Sequence, residues 1–580
     1  MIRFDRVGFG YADAAAPVLR DVSFTIDEGQ LCVLVGATGS GKSTLLQAVN
    51  GLVPHFTGGT LSGEVEVDGR STRTHPPREL ADVVGYVGQD PRAGFVTSTV
   101  ADELAYTMES LGLARAVMRR RLEDALDLLG LVDLRDRAPD ELSGGQQQRV
   151  AIAAVLTANP STLVLDEPTS ALDPLSAEDV LASLTRLVHD LGITVLVAEH
   201  RLERVLGHAD RMLWLPGDGS VVAGPVEEVT ARCPLAPPVV ELARRAGWSP
   251  SPLTVRDARR RAAPLRAALA VRAELAVRAE LAVLAGAAGR AGAGEPDPSS
   301  VAFRAPAAVV RDLVVWRGPR RTAVLALDGA SATFRSGTVT AVMGRNGSGK
   351  STLLRSLCGL DAVAAGTVRL GEAGVDPRQL RAAELVRQVG LVPQEPADLL
   401  YLPTVAGECA VADRDSGAPP GRCSSVLAEL APDVDAGRHP RDLSEGQRLA
   451  LALAVVLTGE PPVLACDEPT RGLDYPAKRR LGAILTAQAA AGRAVVCATH
   501  DVELVAEIAD EVLVMARGTV VDAGAPQAVL TAAPAFSPQM AKVFRPLPLL
   551  TVDDVAAAVA WSSPTVTDVA AVTAVSGRSR

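Results

Sequence analysis

Aromatic residues make up only 3% of this 580-residue chain, and lysine is scarcer still, standing at positions 42, 350, 478 and 542 alone. The seven cysteines include no C-x-x-C pair. Cys32, Cys466 and Cys497 lie in apolar, strand-like runs, so reduced, buried thiols and a cytosolic compartment are expected. No uninterrupted apolar run approaches the ~18–20 residues of a membrane span. The chain opens on strand-like Ile2-Arg3-Phe4 instead of the apolar stretch of a signal peptide. A soluble protein is expected, touching a membrane only through a partner. The formal charge of −10 argues against nucleic acid as a partner, because a nucleic-acid binder presents a basic face. Apolar residues at 48% support large buried cores, and the length is too great for one.

What the chain does have is a phosphate loop, twice. Gly36, Ala37, Thr38, Gly39, Ser40, Gly41, Lys42, Ser43 and Thr44 match G-x-x-x-x-G-K-S/T, as do Gly344, Arg345, Asn346, Gly347, Ser348, Gly349, Lys350, Ser351 and Thr352. Glycines in such a loop let backbone N–H groups curl round a phosphate chain; the lysine reaches the β/γ-phosphates and the serine hydroxyl sits on Mg²⁺. Each loop follows an apolar strand, Leu31 to Val35 or Val339 to Met343, and a helix is expected from Ser43 to Asn50. A chain so biased towards Arg still places Lys in both loops, where a compact ammonium fits between phosphates and a planar guanidinium does not.

The two halves repeat motif by motif: Lys42 with Lys350, Asp166 with Asp467, His200 with His500. This is a duplication of a unit of ~250 residues, far longer than the periods of a solenoid. The expected boundaries are 1–250 for the first unit, 251–305 for an Ala/Gly/Pro-rich linker, 306–550 for the second unit and 551–580 for a tail with little order after Asp554. The linker should hold a short Ala-rich helix (A-V-R-A-E-L twice over, from Ala270) and then a flexible tether. In the first unit, Gly59 to Gly69 reads as a hairpin edge and Thr99 to Leu131 as helical.

Hydrolysis of a β–γ bond needs a phosphate cradle, a metal, a group that positions water and sensors of the departing charge. Asp166 and Asp467, ending buried apolar strands, would hold Mg²⁺; Glu167 and Glu468 would polarise the attacking water. His200 and His500 each follow another apolar strand, where a γ-phosphate contact would sit. Gln89 and Gln394 could reach the metal and the water from mobile loops. Tyr11 is the candidate for stacking on adenine in the first unit and Trp316 the weaker one in the second, with burial in the sheet as the alternative. Ser143, Gly144, Gly145 and Gln146, and later Ser444, Glu445, Gly446 and Gln447, open a helix whose positive end has nothing local to neutralise. Such an end makes sense if it caps a γ-phosphate held by the other unit.

Phosphate loop, glutamine loop, L-S-G-G-Q, D-E-P-T-S-A-L-D and the later histidine together resemble the ATP-binding-cassette ATPases, here two in one chain. The resemblance implies an α/β fold of two P-loop NTPase domains, each with a RecA-like core, an antiparallel β subdomain and a helical subdomain. It implies ATP and Mg²⁺ as cofactors, two cassettes closing head to tail, and nucleotide contacts from Asp173 and Asp474. Glu445, standing for a glycine, would then put a carboxylate near a γ-phosphate and slow the Lys42 site. T-V-A-D-E-L-A-Y (Thr99 to Tyr106), P-L-T-V-R and L-L-T-V-D-D resemble the fused ATPases of energy-coupling-factor importers, of the cobalt or hydroxymethylpyrimidine/thiamine type. That implies ATP hydrolysis powering uptake of a vitamin or metal ion at the cytoplasmic face of the membrane. The implied partners are a transmembrane coupling subunit and a substrate-binding membrane subunit. The alternatives are a soluble two-cassette ATPase acting on ribosomes, against which the acidic chain and the Ala/Gly/Pro-rich linker argue, and the ATPase of another importer or exporter.

Overall fold

The computed structural model describes residues 1–12, 16–170, 172–272, 305–318 and 323–559. Most of the expected linker and the chain beyond 559 therefore lie outside the described residues. Two compact units are formed, one of Met1–Val240 with Gly472–Pro476, the other of Glu241–Arg471 with Ala477 onward.

Each unit pairs an antiparallel sheet with a larger, mostly parallel one. In the first unit, Leu19–Ile26, Ile2–Gly10, Thr60–Val67 and the short Arg70–Ser71 make the antiparallel sheet in that order. Apolar and polar residues alternate along Ile2–Gly10, as a sheet with one packed face requires. The six-stranded sheet runs Val222–Pro225, Arg211–Leu215, Leu31–Gly36, Thr194–Ala198, Thr162–Asp166, Val84–Val87. Its strands are parallel except for Val222–Pro225. Leu31–Gly36, Thr162–Asp166 and Thr194–Ala198 are buried at every residue, the pattern of strands covered on both faces.

The second unit repeats the plan. Val324–Arg335, Pro306–Arg317 and Val363–Leu370 form the antiparallel sheet. The larger sheet runs Val389–Val392, Val463–Asp467, Ala494–Ala498, Val339–Gly344, Glu511–Ala516, Thr519–Gly524, with only the last strand antiparallel. In both units the strand that feeds the phosphate loop lies centrally. The carboxyl ends of its parallel neighbours therefore open on the same edge as the loop, which is where open α/β sheets place ligands.

Three local expectations are refined. The helical stretch from Thr99 is two helices, Val100–Ser110 and Arg115–Leu129, broken at Gly112 with φ of 68°. Thr60–Val67 is an inner strand that only hairpins onto Arg70–Ser71. In the tail, Val552–Val559 is a helix with Val552 and Val555 buried, so order continues past Asp554 to the last described residue. All seven cysteines are buried and unbridged, and burial pushes the Cys466 thiol up to about 12. No helix among the described residues is long and apolar enough to cross a membrane.

Candidate functional site

Each phosphate loop ends in a glycine with left-handed backbone, Gly41 at φ 100° and Gly349 at φ 106°, directly before its helix (Lys42–Val49 or Lys350–Leu357). A side chain there would be strained. Lys42 Nζ donates to the carbonyls of Gly36 at 3.0 Å and Ala37 at 3.2 Å; Lys350 Nζ donates to those of Gly344 at 2.8 Å and Arg345 at 3.4 Å. Both lysines are thus buried across the mouth of their own loop, and burial holds the Lys42 ammonium below its ordinary range. Thr38, Gly39, Arg345, Asn346 and Gly347 are exposed.

Asp166 and Asp467 end their strands beside the Ser43 and Ser351 hydroxyls, which hydrogen-bond to them. Burial pushes both carboxyls up, the serine bond opposing it. Asp467 Oδ1 is buried with no hydrogen-bond partner. An orphaned carboxylate oxygen beside a hydroxyl is a hard-oxygen donor set, and such a set suits Mg²⁺.

Glu167 and Glu468 take left-handed backbone, φ 53° and 49°, a strain of about 1–3 kcal/mol for a non-glycine residue. Their N–H groups donate to Ala198 O and Ala498 O on the neighbouring strands, which holds them turned off the strand end. His200 Nε2 lies 2.7 Å from Glu167 Oε1, and His500 Nδ1 lies 2.7 Å from Glu468 Oε2. Gln89 Nε2 donates to Glu167 Oε2 at 3.1 Å. In the second unit the other carboxylate oxygen, Glu468 Oε1, is 3.6 Å from Lys350 Nζ, and Gln394 is exposed. The structure therefore gathers lysine, aspartate, glutamate and histidine in both units, and draws glutamine onto the carboxylate in the first.

The L-S-G-G-Q helices do have a local cap, contrary to expectation. Ser143 Oγ accepts from Gln146 N–H while Gln146 Oε1 accepts from Ser143 N–H, and Ser444 and Gln447 repeat this capping box. Glu445 is also answered locally. Its carboxylate pairs with Arg448 Nη1 at 2.7 Å, and Arg448 stands where the first half has Gln147. Glycine to glutamate is thus matched by glutamine to arginine one turn on, which removes much of the repulsion expected of Glu445.

Asp173 caps the helix Pro174–Leu191, accepting from Leu175 N–H and Ser176 N–H. Asp474 instead accepts from Thr38 N–H at 2.8 Å within the first unit. Tyr11 packs edge-on against Phe9 and its hydroxyl meets Thr44 Oγ1 at 2.9 Å, beside the loop. Trp316 stands at the end of its strand, 53% exposed.

Sequence reasoning passed over Glu199. It is fully buried, accepts from Thr169 N–H through Oε1 at 2.9 Å, and has no hydrogen-bond partner for Oε2; burial pushes its carboxyl up. The signal was a mismatch between the halves, since the residue before His500 is Thr499.

The cradle leaves no room for a methyl group. A Cβ on Gly344, whose φ is 150°, would lie 2.4 Å from Met515 O and 2.6 Å from Ser348 Oγ. Gly344→Ala is therefore expected to destabilise the second unit by about 2–4 kcal/mol, from overpacking and backbone strain together. A thermal melt would read this as a clear downward shift, and an unchanged melt would show that the loop can move aside.

A model of the family described as ABC transporter matches residues 19–170 and 327–471. An ABC transporter ATP-binding protein of Streptomyces avermitilis is 60% identical over 570 residues, 97% of this chain and 100% of that one. One of Streptomyces coelicolor is 57% identical over 564 residues, 96% and 99% of the two chains. The solved structure of cbiO1 from Clostridium perfringens, part of the ABC transporter complex cbiONQ, is 30% identical, covering 40% of this chain and 90% of that one at a TM-score of 0.37. The chain belongs to the ABC transporter family, as an ATP-binding ATPase that carries two cassettes in tandem.

Proposed function

We propose that this ATPase powers an energy-coupling-factor importer of a vitamin or metal-ion micronutrient. It would sit at the cytoplasmic face of the membrane on a transmembrane coupling subunit, with a substrate-binding membrane subunit completing the assembly. Glu167 and Glu468 act as general bases, taking a proton from the attacking water, and His200 and His500 hold those carboxylates and sense the γ-phosphate. Ser43, Asp166 and Gln89, and Ser351, Asp467 and Gln394, would hold Mg²⁺, which would neutralise charge on the phosphate oxygens. Lys42 and Lys350 leave their loop carbonyls for the β/γ-phosphates.

The observation that carries the importer reading is the build of the T-V-A-D-E and T-V-A-G-E stretches. Glu103 and Glu408 point inward and are buried. Glu103 Oε2 accepts from Val96 N–H, Thr97 N–H and the Thr97 hydroxyl at 2.8–3.0 Å, and Glu408 accepts from Leu402 N–H. Each carboxylate braces a loop that presents a bare apolar residue close after the glutamine, Val96 at 61% and Tyr401 at 72% exposure. A rigid, apolar loop next to the nucleotide-sensing glutamine is what a membrane partner needs in order to feel nucleotide state. Charge reversal of Glu103 or Glu408 would collapse the brace, so the informative variant is Val96→Asp with Tyr401→Asp. Co-expressed with its permease, this variant should stay in the supernatant when membranes are pelleted, while still binding ATP. Undiminished pelleting and transport, or co-sedimentation of the natural chain with ribosomes, would overturn the reading.

A further inference from the structure

Apart from its phosphate loop, the second unit contains a cavity of about 510 Å³. It lies where the helix Val255–Arg261 packs on the helix Gln539–Phe544. Arg259 Nη1 donates to Lys542 O at 2.7 Å and Arg266 Nη1 to Val543 O at 3.2 Å, tying the two segments together. Arg259, Lys542 and Arg545 line the cavity, with Pro534, Pro546 and Leu547 supplying apolar wall.

These cations are unmatched. Among the described residues, Arg259, Arg266, Lys542 and Arg545 form no ion pair, whereas nearby Arg245 is paired twice, with Glu241 at 2.9 Å and Asp553 at 2.6 Å. In a chain with ten more acidic than basic residues, three cations without an ion pair lining one cavity stand against the composition. Burial, and after it the charge of Arg259, hold the Arg266 guanidinium below its ordinary range. The cluster repels itself, and an anion would relieve it.

We propose that this cavity is a binding site for a small soluble metabolite bearing a phosphate or diphosphate group. The volume falls in the ~300–1,000 Å³ range of small-molecule sites. Guanidinium forks match phosphate oxygens two at a time, and an ammonium adds a point charge. Pro534, Pro546 and Leu547 would cover the ligand's non-polar body.

The test uses the full chain carrying Lys42→Ala and Lys350→Ala, so that the phosphate loops do not compete, and titrates it calorimetrically with inorganic pyrophosphate at low salt. One site per chain is expected. Adding Lys542→Gln with Arg545→Gln should weaken binding at least about tenfold, as the loss of two charge-assisted contacts requires. Both side chains are exposed, so the melting temperature should not move; Arg545→Gln alone is the milder check. No binding in the starting chain, or binding that ignores the two substitutions, would overturn the proposal. Sedimentation with vesicles of neutral lipid, with and without phosphatidic acid, tests the source. Vesicle binding that depends on Lys542 and Arg545, with no pyrophosphate binding, would replace the soluble ligand with a lipid headgroup.

Discussion

Glu167→Gln together with Glu468→Gln is expected to leave MgATP binding intact and to lower steady-state ATP hydrolysis by about 10²–10⁴-fold, the range for removal of a general base. Glutamine keeps the length and shape of glutamate and its carbonyl oxygen still accepts a hydrogen bond, so the 2.7 Å contacts to His200 and His500 can persist. The left-handed backbone at 167 and 468 strains both residues alike, so stability should not change. What is lost is the proton acceptor, together with the contact of the second oxygen, to Gln89 Nε2 in the first unit and to Lys350 Nζ in the second. Steady-state phosphate release, read beside nucleotide binding on the same preparation, separates this from a misfolded site. Turnover close to that of the natural chain would remove both carboxylates from the role of base.

How much of this was written in the chain depends on how local each device is. The phosphate loops and the D-E strand ends were legible because a short run of residues carries both the motif and its strand–loop–helix setting. The apolar runs marked buried strands, and the α/β fold they belong to came from the family resemblance. The inward turn of Glu103 and Glu408 was not legible, because a carboxylate in the first turn of an amphipathic helix reads as solvent-facing until the loop it braces is known. The pairing of Glu445 with Arg448 could have been read, since residues three apart on a helix are neighbours. The capping boxes of Ser143 and Ser444 could likewise have been read from S-x-x-Q. The left-handed backbone of Glu167 and Glu468 could not, because nothing in a D-E dipeptide announces it. It follows from N–H groups drawn onto Ala198 O and Ala498 O, contacts between segments about 30 residues apart. The unmatched cations near Arg259 were invisible for the same reason: they converge from stretches some 280 residues apart.

The second large effect expected concerns the lysines. Lys42→Arg should impair nucleotide binding at the first loop nearly as much as Lys42→Ala, and Lys350→Arg should do the same at the second. The ammoniums are buried and spanned by carbonyls 2.8–3.4 Å away; a guanidinium is wider and planar, and cannot take that position without spreading the loop. The loop backbone cannot spread cheaply either, since even a methyl group on Gly36 would come within 2.4 Å of Ser40 Oγ. A charge-assisted hydrogen bond contributes about 1.5–3 kcal/mol, so losing one such contact should weaken ATP affinity by roughly 10–150-fold. Titration of a fluorescent ATP analogue against the two Lys→Arg variants, each beside its Lys→Ala partner, reads the comparison directly. If arginine at 42 and 350 restored most of the affinity lost with alanine, positive charge alone would suffice, and the restriction of lysine to four positions would carry no chemical meaning.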